Sequence, residues 1–244
     1  MKISLSVFLV LMLSIPAFAD VLVSDDFEDS VLGEIPAGWQ AKDGVLAEEF
    51  PVVDSLVKNG SKALKVNSAA DDHDIWIEFG KSVTVATVEF WIYPDQAGRS
   101  VSFLMLNGSS DRADAGPYLG WAAGTDGMLT RYSGGWAATN TAFDVQQWTY
   151  VKIVADSDTD TFDIYLGSGP DDLPDAPQEP DVPYRVATEG FDRIMFLGWS
   201  SVVGPAYVDD VLVYEGALRP EGVVTPVEPE DKAATAWGAV KSSY

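Results

Sequence analysis

Residues 84–94, TVATVEFWIYP, decide the fold class. The stretch alternates with a period of two, is rich in Thr, Val, Phe, Trp, Ile and Tyr, and ends on a proline, the pattern of a strand in a sheet. Similar segments extend outward from it in both directions. Strands are expected near 21–27, 45–53, 62–67, 74–79, 84–93, 100–106, 117–123, 127–133, 148–155, 161–167, 191–198 and 206–214. Gly, Asp, Asn and Pro fill the gaps between them, as turns require. No mid-chain window repeats apolar residues at i, i+3, i+4 and i+7, so no helix is expected there. Many short strands joined by polar turns imply two antiparallel sheets packed face to face, an all-β sandwich.

Two hairpins can be placed from their turns. Asp126-Gly127 supplies the left-handed position of a tight turn between 117–123 and 127–133, and Asp156–Asp160 joins two strongly alternating strands. Residues 170–183, PDDLPDAPQEPDVP, hold five Pro and five acidic residues and read as a long exposed loop. Residues 219–231 form an acidic, Pro-rich linker, and 232–244 a short tail with Ala233, Ala236, Trp237 and Val240 at helical spacing after Asp231. The sandwich therefore spans 20–218. At the other end, residues 1–19 carry Lys2, an apolar run from Val7 to Leu13 and Ala17-Phe18-Ala19, a secretory signal peptide cleaved near Ala19. The expected location is secreted or periplasmic, with no transmembrane segment.

Composition narrows the chemistry. The 244 residues include no Cys and one His, which excludes thiol catalysis, disulfides, thiolate metal sites and any two-histidine centre. Asp and Glu number 38 against 15 Lys and Arg, a formal charge of −23. A chain so acidic repels phosphate backbones and anionic lipid, so nucleic acid is not an expected partner, while neutral or cationic ligands and divalent cations remain open.

Three segments resemble the concanavalin A-like lectin/glucanase superfamily, in particular its LamG-like jelly rolls. They are TVEFWIYP at 87–94, WTYVKIVADSDTDTFDIYLG at 148–167 and YVDDVLVYEGAL at 207–218, with DDFEDSVLGEIPAGW at 25–39 similar to an opening strand of secreted members. The resemblance implies a two-sheet antiparallel jelly roll whose first and last strands pair. Tyr150 stands where many relatives have His. The Glu-x-Asp-x-x-Glu strand of the glucanases is absent, the nearest string being Glu89 to Asp95. Glycoside hydrolysis needs two carboxylates flanking one bond, so the resemblance favours a binding module over an enzyme.

Candidate sites follow. Asp156, Asp158 and Asp160 open like an EF-hand loop, but Thr161 and Gly167 stand at the positions needing Gly and an acid, so a solvated turn is expected. Asp71, Asp72 and Asp74 surround His73 and read as a loop entering a strand. If the terminal strands pair, Asp26 and Glu28 meet Asp209 and Asp210, where calcium would relieve the repulsion; exposed acids that discourage edge pairing explain the same pattern. Val208, Val211 and Val213 cannot share one face without a bulge at Asp209-Asp210. Trp91 and Trp148 read as packing residues. Tyr118, Trp121, Tyr132 and Trp136 lie in a Gly-rich stretch where sugar rings could stack, with Arg112, Arg131, Asn107 or Asn140 bonding hydroxyls; a plain core explains the same aromatics.

The sequence is thus expected to encode a secreted binding module for carbohydrate, on a cell surface or in an extracellular glycoconjugate. Its ligand residues are Tyr118, Trp121, Arg131, Tyr132 and Trp136. A structural calcium is expected at Asp26, Glu28, Asp209 and Asp210. A hydrolase or lyase on the same fold, and a structural or adhesion component whose tail docks a partner, are the rival readings.

Overall fold

Residues Val85–Pro94 form a strand inside one of two antiparallel sheets. The computed structural model describes residues 19–68, 73–96, 99–122, 128–198 and 204–223. The expected signal peptide, Asp71-Asp72, the turn at Asp126-Gly127 and the tail at 232–244 lie outside the described residues. In chain order the strands are β1 (Val21–Asp25), β2 (Gln40–Ala41), β3 (Val52–Val53), β4 (Ala63–Val66), β5 (Asp74–Val83), β6 (Val85–Pro94), β7 (Arg99–Leu106) and β8 (Tyr118–Ala122). They continue with β9 (Met128–Tyr132), β10 (Trp136–Ala142), β11 (Thr149–Asp156), β12 (Thr161–Gly167), β13 (Glu179–Pro183), β14 (Phe191–Leu197) and β15 (Ala206–Glu215). The eight-stranded sheet runs β13-β12-β11-β6-β15-β4-β3 with β1 paired to β15; the seven-stranded sheet runs β10-β9-β8-β7-β14-β5-β2. Among the described residues there is no α-helix, only short 3-10 turns. The chain is an all-β antiparallel sandwich consistent with a jelly roll.

Alternation along β6 explains its central place. Ala86, Val88, Phe90 and Ile92 are fully buried in the space between the sheets. Phe90 packs against Phe103, Phe196 and Trp121 of the other sheet, with ring centroids 5.4, 5.6 and 5.8 Å away. Thr87, Glu89 and Trp91 point the other way, onto a second layer over the sheet. There the Tyr150 and Tyr214 hydroxyls donate to Glu89 at 2.8 and 2.9 Å, and the Lys58 ammonium lies 4.3 Å above the Trp91 ring. Trp91 is thus a packing residue, as its strand pattern suggests.

Three local expectations change. Over 45–53 only Val52–Val53 pair as a strand, because a 3-10 turn at Ala47–Glu49 takes the preceding residues. Within 170–183, Glu179–Pro183 forms an edge strand on β12. Proline is tolerated there because one side of an edge strand has no ladder partner. Its Glu179 carboxylate accepts Asn140 N and Thr141 Oγ1, at 2.6 and 2.9 Å, from β10. That strand, small and polar after Trp136, carries too little β-branched or aromatic character to stand out in the sequence. The Asp156–Asp160 hairpin forms in register, Asp156 opposite Thr161, with Asp160 at φ 54°. In β15 the ladder slips between Asp209 and Leu212, with Asp210 at φ 50°, and this bulge lets Val208, Val211 and Val213 all reach the core.

The chain after β15 stays on the sheet. Lys152 Nζ donates to Ala217 O at 3.4 Å, and Arg219 Nη2 lies 3.1 Å from Glu89 Oε2. The boundary expected at 218 therefore falls one residue short of an anchor. Truncation after residue 218 should lower unfolding stability by about 1–3 kcal/mol, because it strips a buried carboxylate of its cation. A chain ending at 223 should melt like the full one in the same denaturation series, and equal midpoints for both truncations would contradict the anchoring role.

Candidate functional site

β8 carries the site because its two faces differ. Leu119 and Trp121 point into the main core, while Tyr118 and Gly120 point outward, as period-two alternation demands. Trp121 is fully buried and meets Phe90 edge-on, so it offers no face to a ligand. This corrects its expected role. Arg131 is likewise set apart: it stands opposite Leu119 in the ladder, on the inward face of β9, and bonds Ser133 Oγ at 2.7 Å. The expected set of five is split by strand parity.

The other three converge. Tyr118, Tyr132 and Trp136 form a triangle with centroid separations of 5.5, 5.2 and 5.3 Å. Tyr118 is buried at its base, and Tyr132 and Trp136 are half-buried. Ladder register extends the row across the sheet through Leu104 and Met195 to Trp76. The adjacent row runs Asp74, Leu197, Ser102, Gly120, Thr130, Ala138, mostly small side chains beside an aromatic wall. Gly120 is required by this arrangement. A Cβ there would stand 2.8 Å from Trp136 Cζ3 and 2.9 Å from Thr130 Oγ1, so only glycine lets the indole lie over β8.

Arg185, which sequence reasoning passed over, completes the wall. It follows β13, and its guanidinium lies 4.7 Å from the Tyr132 centroid and 5.5 Å from that of Tyr118. Nη1 donates to Arg112 O at 2.8 Å. Burial pushes the Tyr118 hydroxyl up to about 12, with the charges of Arg112 and Arg185 opposing, so it is a neutral phenol at ordinary pH. The arrangement can stack a flat ring and donate hydrogen bonds. A cavity of about 290 Å3 lies elsewhere, against Asp144, Gln147, Trp148 and Ser168, but only one indole faces it.

The terminal strands bring the acidic residues together at the β15 bulge. Asp209 is fully buried and its carboxylate is satisfied by backbone: Oδ2 accepts Lys58 N and Asn59 N at 2.9 and 3.1 Å, and Oδ1 accepts Asp210 N at 2.9 Å. Glu28 accepts Ser61 N, Ser61 Oγ and Lys62 N at 2.7, 2.6 and 2.8 Å. Gly60, at φ 69°, makes room for that carboxylate, which a Cβ would strike. Asn59 Nδ2 donates to Asp210 Oδ2, yet Asn59 Oδ1 and Asp210 Oδ1 are buried with no donor. Burial and the neighbouring Asp210 carboxylate push Asp209 up to about 8; burial pushes Asp210 up to about 6, with Asp26 and Glu28 adding to the effect. Among the described residues no three acidic or His side chains converge tightly as a ligand set. The orphaned pair of oxygens is nonetheless the donor type that calcium takes, and Asn59 was not singled out from the sequence. Asp209 is a strut that holds the 58–59 turn, with no oxygen left unbonded.

His73 pairs with Glu49 at 2.7 Å, a partner outside the acidic run around it in the sequence.

With this geometry in view, the class is plain. The chain belongs to the concanavalin A-like lectin/glucanases superfamily, and the Laminin_G_3 family model matches residues 59–224. No curated protein matches it. Among solved structures, cellulose induced protein Cip1 superposes with a TM-score of 0.55 at 13 % identity, covering 80 % of this chain and 98 % of that one. Domain 4 of AbnA, an extracellular arabinanase from Geobacillus stearothermophilus in complex with arabinotriose, gives 0.50 at 17 %, with coverages of 84 and 96 %. A sialidase gives 0.55 at 14 %; 81 % of this chain matches only 19 % of that protein's length. These likenesses establish the fold.

Two substitutions separate core from site. Trp121→Ala should cost about 3–5 kcal/mol of unfolding free energy, as for a fully buried indole. Trp136→Ala should cost only ~1–2 kcal/mol, in keeping with its half burial. Denaturant titration of both variants checks the assignment, and equal losses would place Trp136 in the core as well.

Proposed function

We propose that this protein is a secreted carbohydrate-binding module that holds a glycan on the outer face of its seven-stranded sheet. The observation that carries this reading is the Tyr118–Tyr132–Trp136 triangle, in which the Tyr132 and Trp136 rings are half-exposed on the outer face of the sheet. Sugar rings present flat apolar faces and a rim of hydroxyls, and half-exposed aromatic faces match the former. Family membership supports the same reading, and the similar arabinanase domain solved with arabinotriose makes a sugar the first occupant to test. No helix among the described residues is long and apolar enough to cross a membrane. The expected signal peptide supports export.

The mechanism is recognition. Tyr132 and Trp136 supply ring faces, Tyr118 props them from below, and Gly120 makes room for the Trp136 indole over β8. Calcium is the cofactor we assign to the terminal-strand cluster, held by Asn59 Oδ1 and Asp210 Oδ1 with Asp26 and Glu28 beside them. It would supply the positive charge that the buried carboxylates lack, and so lock β1 and the 58–62 turn onto β15.

Screening residues 20–244 against a glycan array should yield a ligand, and Trp136→Ala should weaken it by ~1–3 kcal/mol with the fold intact. Full affinity in that variant would refute the groove, and turnover of a bound polysaccharide would make the protein an enzyme. Calcium is tested separately by melting. An ion that binds only the folded state stabilises it by about 2.7 kcal/mol at a hundredfold excess over Kd. The mature protein should therefore melt higher in calcium than in chelator. Asp210→Ala should abolish that difference, whereas Asp209→Asn should lower stability in both conditions. Identical melting of the wild type in calcium and chelator rejects the assignment.

A further inference from the structure

Arg185 is held over rings rather than beside an acid. The chain carries 38 carboxylate side chains against 15 Lys and Arg, and three other cations have acidic partners. Arg193 contacts Asp192 and Glu78, Lys81 contacts Asp20 and Glu215, and Arg219 contacts Glu89. Arg185 has no carboxylate partner among the described residues. The acids of the neighbouring loop are turned to other work: Asp111 accepts Ala113 N at 2.8 Å and Asp114 accepts Ser109 Oγ at 2.7 Å.

The position of Arg185 is nevertheless fixed. Its backbone N donates to Gly116 O at 2.9 Å and its Nη1 to Arg112 O at 2.8 Å, so two bonds to one loop hold it over the tyrosine rings. A guanidinium has five N–H donors in a rigid plane. One is spent on Arg112 O, and stacking on Tyr132 leaves the rim of the plane for a ligand. This half-buried fork stands over Tyr132 and Tyr118, the rings that pack against Trp136. We infer that the groove selects glycans bearing an anionic group, a uronate carboxylate or a sulfate ester, which Arg185 grips beside the Tyr132–Trp136 wall. The inference rests on the reading of the groove as a glycan site and names its ligand class.

The formal charge of −23 argues the other way, and distance decides between them. At physiological ionic strength the screening length is about 8 Å, so acids spread over the surface act weakly on a group inside the groove. A guanidinium in hydrogen-bond contact acts at full strength, and its planar fork fits carboxylate and sulfate oxygens alike. The net charge then lowers the encounter rate without removing the preference. It also makes the preference selective, because the rest of the surface repels polyanions that cannot reach Arg185.

The experiment measures binding of the mature chain, with calcium held constant, to two pairs of polymers: polygalacturonate with its carboxyl-reduced form, and dextran sulfate with dextran. One charged member should bind about tenfold or more tightly than its uncharged partner, the scale of one hydrogen bond to an ionised group. The pair that shows the preference identifies the anion. Arg185→Gln should erase the preference, the charged member then binding no more tightly than its uncharged partner, in a variant shown by its melting curve to be folded. Arg185→Lys, which keeps the charge without the fork, should retain part of it. Equal binding of charged and uncharged polymers by the wild type, or a preference that survives Arg185→Gln, overturns the inference. If uncharged polymer still binds in a way that Trp136→Ala removes, the groove stands and only its selectivity fails. If charged polymer binds equally to Trp136→Ala, the groove itself is wrong.

Discussion

The Phe90 ring, projecting from the eight-stranded sheet, meets three rings of the seven-stranded sheet, Phe103, Trp121 and Phe196, at centroid distances of 5.4 to 5.8 Å. Those partners sit on β7, β8 and β14, neighbours at the middle of their sheet. One contact therefore sets the spacing and lateral alignment of the two layers. It also fixes which residues face outward. With Trp121 committed inward, alternation sends Tyr118 and Gly120 outward, and the next strands bring Tyr132 and Trp136 to the same place. Interiors are packed too densely for this alignment to shift by a residue without a cavity or a clash.

The outer faces of the two sheets are used differently. On the eight-stranded sheet, Glu89, Trp91, Tyr150 and Tyr214 are covered by the 58–60 turn and by the chain after β15, and they form a second buried layer. On the seven-stranded sheet Trp76, Met195, Leu104 and Tyr118 are also buried, and only Tyr132 and Trp136 at the far end of the row are half-exposed. Aromatic content alone would not tell these faces apart, since both are rich in Trp and Tyr. Coverage by neighbouring segments does.

Two buried carboxylates are handled in the same way. Asp209 takes three backbone N–H groups, and Glu89 takes two phenols and an arginine. Such groups are costly to bury unless fully bonded. The two orphaned oxygens at the β15 bulge and the Arg185 guanidinium, which has no carboxylate partner among the described residues, are where we propose a cation and an anion.

The sequence by itself determined the fold class, most strand positions and the need for a bulge at Asp209-Asp210, because side-chain alternation is a local property. It also singled out Tyr118, Tyr132 and Trp136, which the structure brings into one cluster. Parity within 118–121 already separated Tyr118 from Trp121, a signal present in the sequence once that segment is taken as one strand. Arg185, Asn59 and the short strand at 179–183 were not legible. Arg185 lies 49 residues beyond Trp136, and only the order of strands across each sheet brings it over Tyr132. Which strands are neighbours, which face is covered and which charges find partners depend on contacts between residues far apart in the chain, and those the tertiary structure alone decided.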